Sequence, residues 1–548
     1  MKHYLIILLF TFTIISAQNS IINKPSELIR QPEALTIESE GLKLWIGEEG
    51  YSSHNKNGYL PGLFFPKDSD KTLAYADGPV IGYLKDDTTK VQASYYYYGF
   101  TGGRIESNGS FSEPDDPRFG VYKAKKNWES ITDSLLKEQY KYVHDNWPAD
   151  LGAPFDDVNN DGIYQPESES PLIPYDEATF SIAHCGIDSI AETALGSAGE
   201  KIEMHTFAYT IDPVNFPNVV IKKIKFINKS PFQLKDVYLG YFADCDIGDY
   251  DDDFVGCDSA LQLMYGYNGQ DVDSIYGSTP PALGYLLLQG PIVESTSDDF
   301  AFFNNSRVYG YKNLDMTSFQ YYARGDGTVT DPYFGTVSHG DMHGYDMMYK
   351  NLQGLIFTGD PHTNPVTATT TKFMLNGDPV ATSGWYDGMS LPRGDRRMML
   401  ATGKFDMAPN SVQEFVIAIF AEQGANRLES VTKLKVTATQ LHEYYTNSIT
   451  TGLSEGGSIQ PIQYQLAQNY PNPFNPSTVI EFSLPEQSNV QLEVFNILGE
   501  KVADLVNAEM NAGVHKVNFD GASLTSGVYV YRLKVGSVHL VRKMMLLK

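Results

Sequence analysis

The feature that most constrains this chain is a period-two alternation of apolar and polar residues, repeated in short runs along most of its length. Residues 202–211 (IEMHTFAYTI), 219–228 (VVIKKIKFIN), 236–243 (DVYLGYFA) and 414–421 (EFVIAIFA) alternate or are apolar throughout. Each run is bounded by Gly, Pro, Asn or Asp, so each reads as a strand between turns. Runs of this kind do not alternate regularly with helices, which argues against a parallel α/β core. The expectation is a mainly β protein: a large antiparallel, sandwich-like body with a few helices, followed by a small C-terminal immunoglobulin-like β-sandwich.

Two helices are expected inside the body. Trp128, Ile131, Leu135 and Tyr142 form one apolar stripe. Leu428, Val431, Leu434, Ala438 and Leu441 form another, opened by Asn426 with Glu429 three residues on, a cap-like arrangement. At 548 residues the chain exceeds what a single core organises, so several domains are expected. Residues 1–17 read as a secretory signal peptide, with Lys2 ahead of an apolar run and small Ser16 and Ala17 behind it. Residues 18–449 form the body, with a subdomain boundary expected near 190–200. Residues 450–460 (TTGLSEGGSIQ) form a Gly/Ser linker and 461–548 the tail. No run in the mature chain is apolar enough for a transmembrane helix.

The net charge of -26 excludes an electrostatic nucleic-acid binder and is compatible with cation-binding loops. Residues 461–548 hold seven Lys/Arg and seven Asp/Glu, so the whole acidic excess belongs to the sequence upstream.

The tail carries specific motifs. Asn469 is followed by Tyr470, Pro471, Asn472, Pro473, Phe474, Asn475 and Pro476. Then come 495–499 (FNILG, ending in Gly499), 524–531 (LTSGVYVY, holding Gly527 and Tyr529) and a basic, apolar end from Lys543 to Lys548. In this order they resemble the type A sorting domain of the type IX secretion system. The resemblance implies recognition by the type IX machinery at the outer membrane, removal of the tail by a sortase-like peptidase, and release or attachment to surface lipopolysaccharide. The prolines keep the entry segment extended, and Gly499 and Gly527 are expected where turns need a permissive backbone. The stretches 244–258 and 394–404 resemble a group of large secreted proteins with the same tail, a likeness that carries no chemistry.

Two acidic segments are candidate calcium sites. Asp157, Asn159 and Asp161 supply oxygens at alternate positions, Gly162 permits a sharp turn, and the Ile163 carbonyl is a further ligand, as at the start of a calcium loop. Position 12 is Ser168, so Glu167 or Glu169 serves only if the loop departs from an EF-hand; the alternative is an Asx-rich surface turn. Residues 244–253 place six carboxylates in ten residues, with Asp244, Asp246, Asp249, Asp251 and Asp253 as candidate ligands. A hard cation relieves their repulsion, and solvated charge at a strand end is the alternative. Cys245 and Cys257 flank this segment and are candidates for a disulfide.

Other patterns carry less. His339 and His343, with Asp341 and Asp346, lie in a Gly-rich loop without an HExxH helix. The two Arg-Gly-Asp tripeptides, at 324–326 and 393–395, read as turns. Residues 95–98 (YYYY) read as an edge or core strand rather than a sugar platform. The expected function is therefore a secreted or surface protein with a structural or binding body and calcium loops. The alternative is a secreted carbohydrate-active hydrolase, which a cleft with two suitably spaced carboxylates beside exposed rings would favour.

Overall fold

In a computed structural model the described residues are 29–450 and 464–548, apart from 57, 97, 114–115, 160, 324–328, 340–341, 467–468, 470, 485–487, 511–512 and 537. The signal peptide at 1–17, Tyr470, the 324–326 tripeptide and all but the first residue of the 450–460 linker lie outside them. Among the described residues no helix is long and apolar enough to cross a membrane.

The body is built on two antiparallel sheets. One contains Thr72–Lys85, Leu234–Cys245, Arg396–Met407 and Ser318–Ala323 side by side. The other contains Ala282–Gln289, Val412–Glu422, Val219–Asn228, Ile202–Thr210 and Glu177–His184. Alternation divides each strand between two cores. Leu239, Tyr241 and Ala243 of the first sheet meet Val220, Ile224 and Ile417 of the second. The outward residues Val219, Ile221 and Phe420 pack under a helix, and Val80, Phe242 and Met399 pack under two others. The result is helix on sheet on sheet on helix, with no surface of either sheet left dry and uncovered at its centre.

The helices differ in part from expectation. The C-terminal one runs Arg427–Thr450, and the Asn426 carboxamide oxygen caps it by accepting from the amides of Leu428 (3.1 Å) and Glu429 (3.0 Å). Val431, Leu434, Ala438 and Leu441 are buried as the spacing requires. The earlier helix begins only at Ser134, because Asp133 caps it, and ends at Asp145. Its buried residue is Val143, and Leu135 stands exposed. Two further helices, Asp188–Leu195 and Gly344–Leu352, are absent from the expectation although each buries an apolar side, Ala191, Ala194 and Leu195 in the first and Met347, Met348 and Leu352 in the second. The second of these uses His343 as its N-cap with Asp346 accepting from the His343 amide, so both residues serve a helix end. Of the segment 95–98, Tyr95 and Tyr96 form a bend after the Thr88–Ala93 strand rather than continuing it, and residue 97 lies outside the described residues. Nor does the body divide near 190–200, since Glu177–His184 and Ile202–Thr210 pair directly across that point.

A charged group sits at the centre of the sandwich. Lys222 takes an inward position in the row Val220, Lys222, Ile224, Phe226 and is fully buried. Its ammonium donates to the Gly50 carbonyl (2.8 Å), the Ser52 hydroxyl (2.8 Å) and the Tyr241 hydroxyl (3.1 Å). Asp77, from the opposite sheet, accepts from Ser52, Ser53, Tyr241 (2.6 Å) and Tyr285 (3.2 Å). Every oxygen and donor hydrogen named here has a partner, the condition under which a buried pair is tolerated.

The tail is a separate small sandwich. Gln465–Leu466, Ser477–Leu484 and Gly513–Asp520 form one sheet; Lys501–Met510, Ser488–Asn496, Gly527–Val535 and Val538–Leu546 form the other. Phe474 is its buried anchor, bonded through its backbone to Met545 and Leu547 at 2.9 Å each, while Pro471, Asn472, Pro473, Asn475 and Pro476 are exposed around it. The Asn472 carboxamide accepts from the Met545 amide at 2.8 Å. The Tyr529 hydroxyl donates to the Thr525 carbonyl (2.8 Å), a tyrosine corner. Gly499 has φ +80° in the Asn496–Gly499 turn, as expected. Gly527 differs: it opens a strand opposite Leu546, outside the positive-φ region, and open space lies where its Cβ would be. Lys543 is exposed, and the Lys548 side chain donates to the Ala522 carbonyl (2.6 Å).

Lys222→Met should destabilise the full-length protein by about 3–5 kcal/mol in denaturant unfolding, because Asp77 is left buried without its counter-charge. Burial lowers the folded Lys222 pKa from 10.5 to about 8. The folded state therefore sheds this proton before the unfolded chain does, and wild-type stability gains with pH between those values. The gap between wild type and variant should widen across that window.

Candidate metal centre and its cavity

One end of the first sheet opens into a cavity of about 920 Å³. Its floor is made by three neighbouring strands. Asp244 lies at the end of Leu234–Cys245, directly opposite Arg397 of Arg396–Met407. Phe242 and Asp244 share the outward face, while Tyr241, Ala243 and Cys245 face inward. Asp246 therefore continues the outward row. On the third strand the pairing register shifts between Asp244/Ala76 and Cys245/Ala74, and Tyr75 occupies the extra position. A bulge of this kind re-aims a side chain, and here Tyr75 lines the cavity.

Asp244, Asp246 and Asp395 each bring a carboxylate oxygen within 4.8 Å of the others. At about 4 Å and an effective dielectric of about 20, two such charges repel by about 4 kcal/mol. Partial relief comes from Arg397, at 3.3 Å from Asp244, 3.4 Å from Asp331 and 2.9 Å from Asp395. Asp244 is only 5% exposed. One of its oxygens accepts from the Tyr96 hydroxyl at 2.6 Å. The other, Oδ1, accepts no hydrogen bond, its nearest cation being Arg397 Nε. Burial raises the pKa of Asp244 and Asp246 well above the usual carboxylate range; the neighbouring acids push the same way, against Arg397. Asp331 is raised by burial also. Arg397 faces five lining acids, the fifth being Glu192, and is the only Lys or Arg among the described lining residues. The balance of charge is that of a cation site.

The candidate ligands of residues 244–253 thus separate. Asp244 and Asp246 enter the cluster. Asp249 receives the Asp251 amide at 3.2 Å and sits beside Asp273, whose Oδ2 accepts from the Asp249 amide at 3.0 Å. Asp251 is exposed. Asp253 is buried, accepts from the Ile247 amide at 3.1 Å, and has its pKa raised well above normal by burial. The third member, Asp395, comes from the second Arg-Gly-Asp tripeptide, which the turn reading passed over. Cys245 and Cys257 are free buried thiols; their strands belong to opposite sheets, which places them in the core rather than across the acidic loop.

The Asp157 loop is closed by its own amides. Asp157 accepts from the Asp161 (3.1 Å) and Gly162 (2.9 Å) amides, Asn159 from Asp161 (2.9 Å), and Asp161 from Ile163 (2.8 Å). Glu169, buried, accepts from Val158 (3.1 Å) and Gln165 (2.9 Å) and closes the loop from its far side.

Residues 468–547 match the secretion system C-terminal sorting domain family. With the motifs above, the tail is a type IX sorting domain, and it marks the protein for export to the cell surface or beyond. No curated protein matches the chain. Among solved structures, a polysaccharide lyase is 9% identical, with 66% of this chain and 36% of that one covered and a TM-score of 0.18. Dimeric latent PorU from Porphyromonas gingivalis is 10% identical over 68% and 31%, at 0.14. PorZ, a surface component of the type IX system of Porphyromonas gingivalis, is 8% identical over 95% and 99%, at 0.14. The chain spans about a third of the length of the first two. At these scores none of the three bears on the body's activity.

Asp244→Asn should lower the raised acid pKa of Asp246, since the charge nearest it is removed. Carboxyl-carbon NMR titration of wild type and variant, in chelator, checks the direction.

Proposed function

We propose that the body is an exported binding protein whose cavity holds calcium on Asp244, Asp246 and Asp395. The observation that carries this reading is the convergence of buried Asp244 and half-buried Asp246 and Asp395 on the cavity floor, where Asp244 Oδ1 accepts no hydrogen bond. Oxygen ligands without nitrogen or sulfur suit a hard cation, and calcium tolerates the irregular geometry that magnesium does not. The Asp157 loop has no part in the reading, because its carboxylates already hold the loop's own amides.

Export completes the proposal. Residues 1–17 direct the chain across the inner membrane, the type IX machinery takes it by the tail, and a sortase-like peptidase removes that tail. The body is then released or joined to lipopolysaccharide.

Calcium should raise the melting temperature of the full-length protein relative to chelator, and magnesium should do so less, at constant ionic strength. At a free concentration a hundredfold above Kd the gain is about 2.7 kcal/mol. Asp246→Asn should abolish it and Asp157→Asn leave it intact; equal response in the wild type and Asp246→Asn overturns the site. A chain stopped after Gly456 should accumulate in the periplasm, read by fractionation and surface proteolysis. Normal surface display of that chain overturns the role of the tail.

A further inference from the structure

We infer that the calcium-bound cavity takes a sugar ring, whose vicinal hydroxyls complete the cation's coordination while its apolar face lies on the tyrosines of the rim. This rests on the calcium reading above and goes beyond it to the ligand. Three carboxylates reach even the lower end of the 6–8 oxygen positions calcium requires only if all three bind through both oxygens. Asp244 cannot do so freely, since one of its oxygens is held by Tyr96 at 2.6 Å. The cation would therefore keep positions open toward the cavity, whose volume of about 920 Å³ lies in the range of small-ligand pockets.

The walls say which ligand. Tyr75 is turned into the cavity by its bulge, and its ring meets that of Tyr96 edge-on at 6.0 Å. Tyr250 is 54% exposed and Phe334 42% exposed at the same opening. Large rings left at an acidic mouth are costly to hydrate and offer an apolar face beside hydroxyl donors and acceptors. A phosphate or carboxylate ligand is disfavoured, because Arg397 is already shared among three carboxylates. A neutral polyol with one apolar face fits both halves. Sugar binding then needs no chemistry: no bond is made or broken, and two hydroxyl oxygens replace two waters on the cation.

The test uses the full-length protein with terbium in place of calcium, excited through the cavity tyrosines, and methyl glycosides of mannose, galactose, glucose and fucose as probes. The expected result is tyrosine-sensitised terbium emission that calcium displaces. Its lifetime should lengthen when one of the glycosides is added, because hydroxyls displace quenching waters. Tyr250→Ala should leave the calcium displacement curve unchanged and weaken the glycoside response by about two- to tenfold. Asp246→Asn should remove both signals while circular dichroism stays that of the folded protein. Terbium binding with no lifetime change for any glycoside overturns the sugar inference and leaves the calcium site standing. Glycoside binding that persists in chelator, read by calorimetry, overturns the coordination inference too. Loss of terbium binding in the wild type overturns the calcium reading itself.

Discussion

The buried network that joins Lys222 to Asp77 through the hydroxyls of Ser52 and Tyr241 is the constraint from which the rest of the body follows. One charge comes from each sheet, and each reaches its partner hydroxyls only in a single relative setting of the two sheets. Apolar packing alone tolerates small slides, because hydrophobic attraction has no direction. Hydrogen bonds to a buried ammonium do not, because a missed one leaves a charge or a hydroxyl without a partner. The network therefore trades stability for position. Asp77 lies opposite Ala243, the residue before Asp244, so the fixed point is next to the cavity floor.

That adjacency explains how a sheet end becomes a site. Between Tyr238 and Asp244 the strands are buried and their pairing is regular. Past it, the ladder shifts, Tyr75 turns outward and two acids leave the sheet on the same face. Arg397 faces Asp244 across the ladder and keeps the cluster folded without neutralising it. The site is thus rigid on its strand side and open on its loop side, where Tyr250 and Phe334 stand. Ligand sites need that combination, since a floor that moves cannot hold a cation and a closed one cannot admit a ligand.

Much of this was legible in the sequence, for a physical reason in each case. Strands are short-range objects, so residues 219–228 and 414–421 declared themselves by alternation, and the Asn426 cap by the residues beside it. The same alternation across Tyr241, Ala243 and Cys245 places Asp244 and Asp246 together on the other face. What a single sequence hides is the partner from far away. Asp395 lies beyond a turn and becomes a neighbour only because its strand pairs with the one ending in Cys245. Lys222 is hidden for the opposite reason: in the run VVIKKIKF a lysine at an inward position looks like its two exposed-seeming neighbours until Asp77 is seen opposite. Helices Asp188–Leu195 and Gly344–Leu352 are harder to read because, at 8 and 9 residues, they give their apolar sides little more than two turns to repeat. Gly527 was assigned to a turn on composition, yet its neighbours place it in a ladder.

The acidity of the body acquires a direction once the cavity and the tail are considered together. The net charge of -26 belongs to the sequence ahead of residue 461, while the tail is balanced. A negative field over the body concentrates cations near its surface and favours their entry into a cleft lined by the same sign. Inside the cell free calcium is scarce, and extracellular calcium modules bind with dissociation constants of about 10⁻⁴–10⁻³ M. On the calcium reading the chain is exported with its acids free of metal and takes up its cation where calcium is plentiful. On that reading the tail delivers the body to the surface or beyond, where the cavity can take its cation from the surrounding medium.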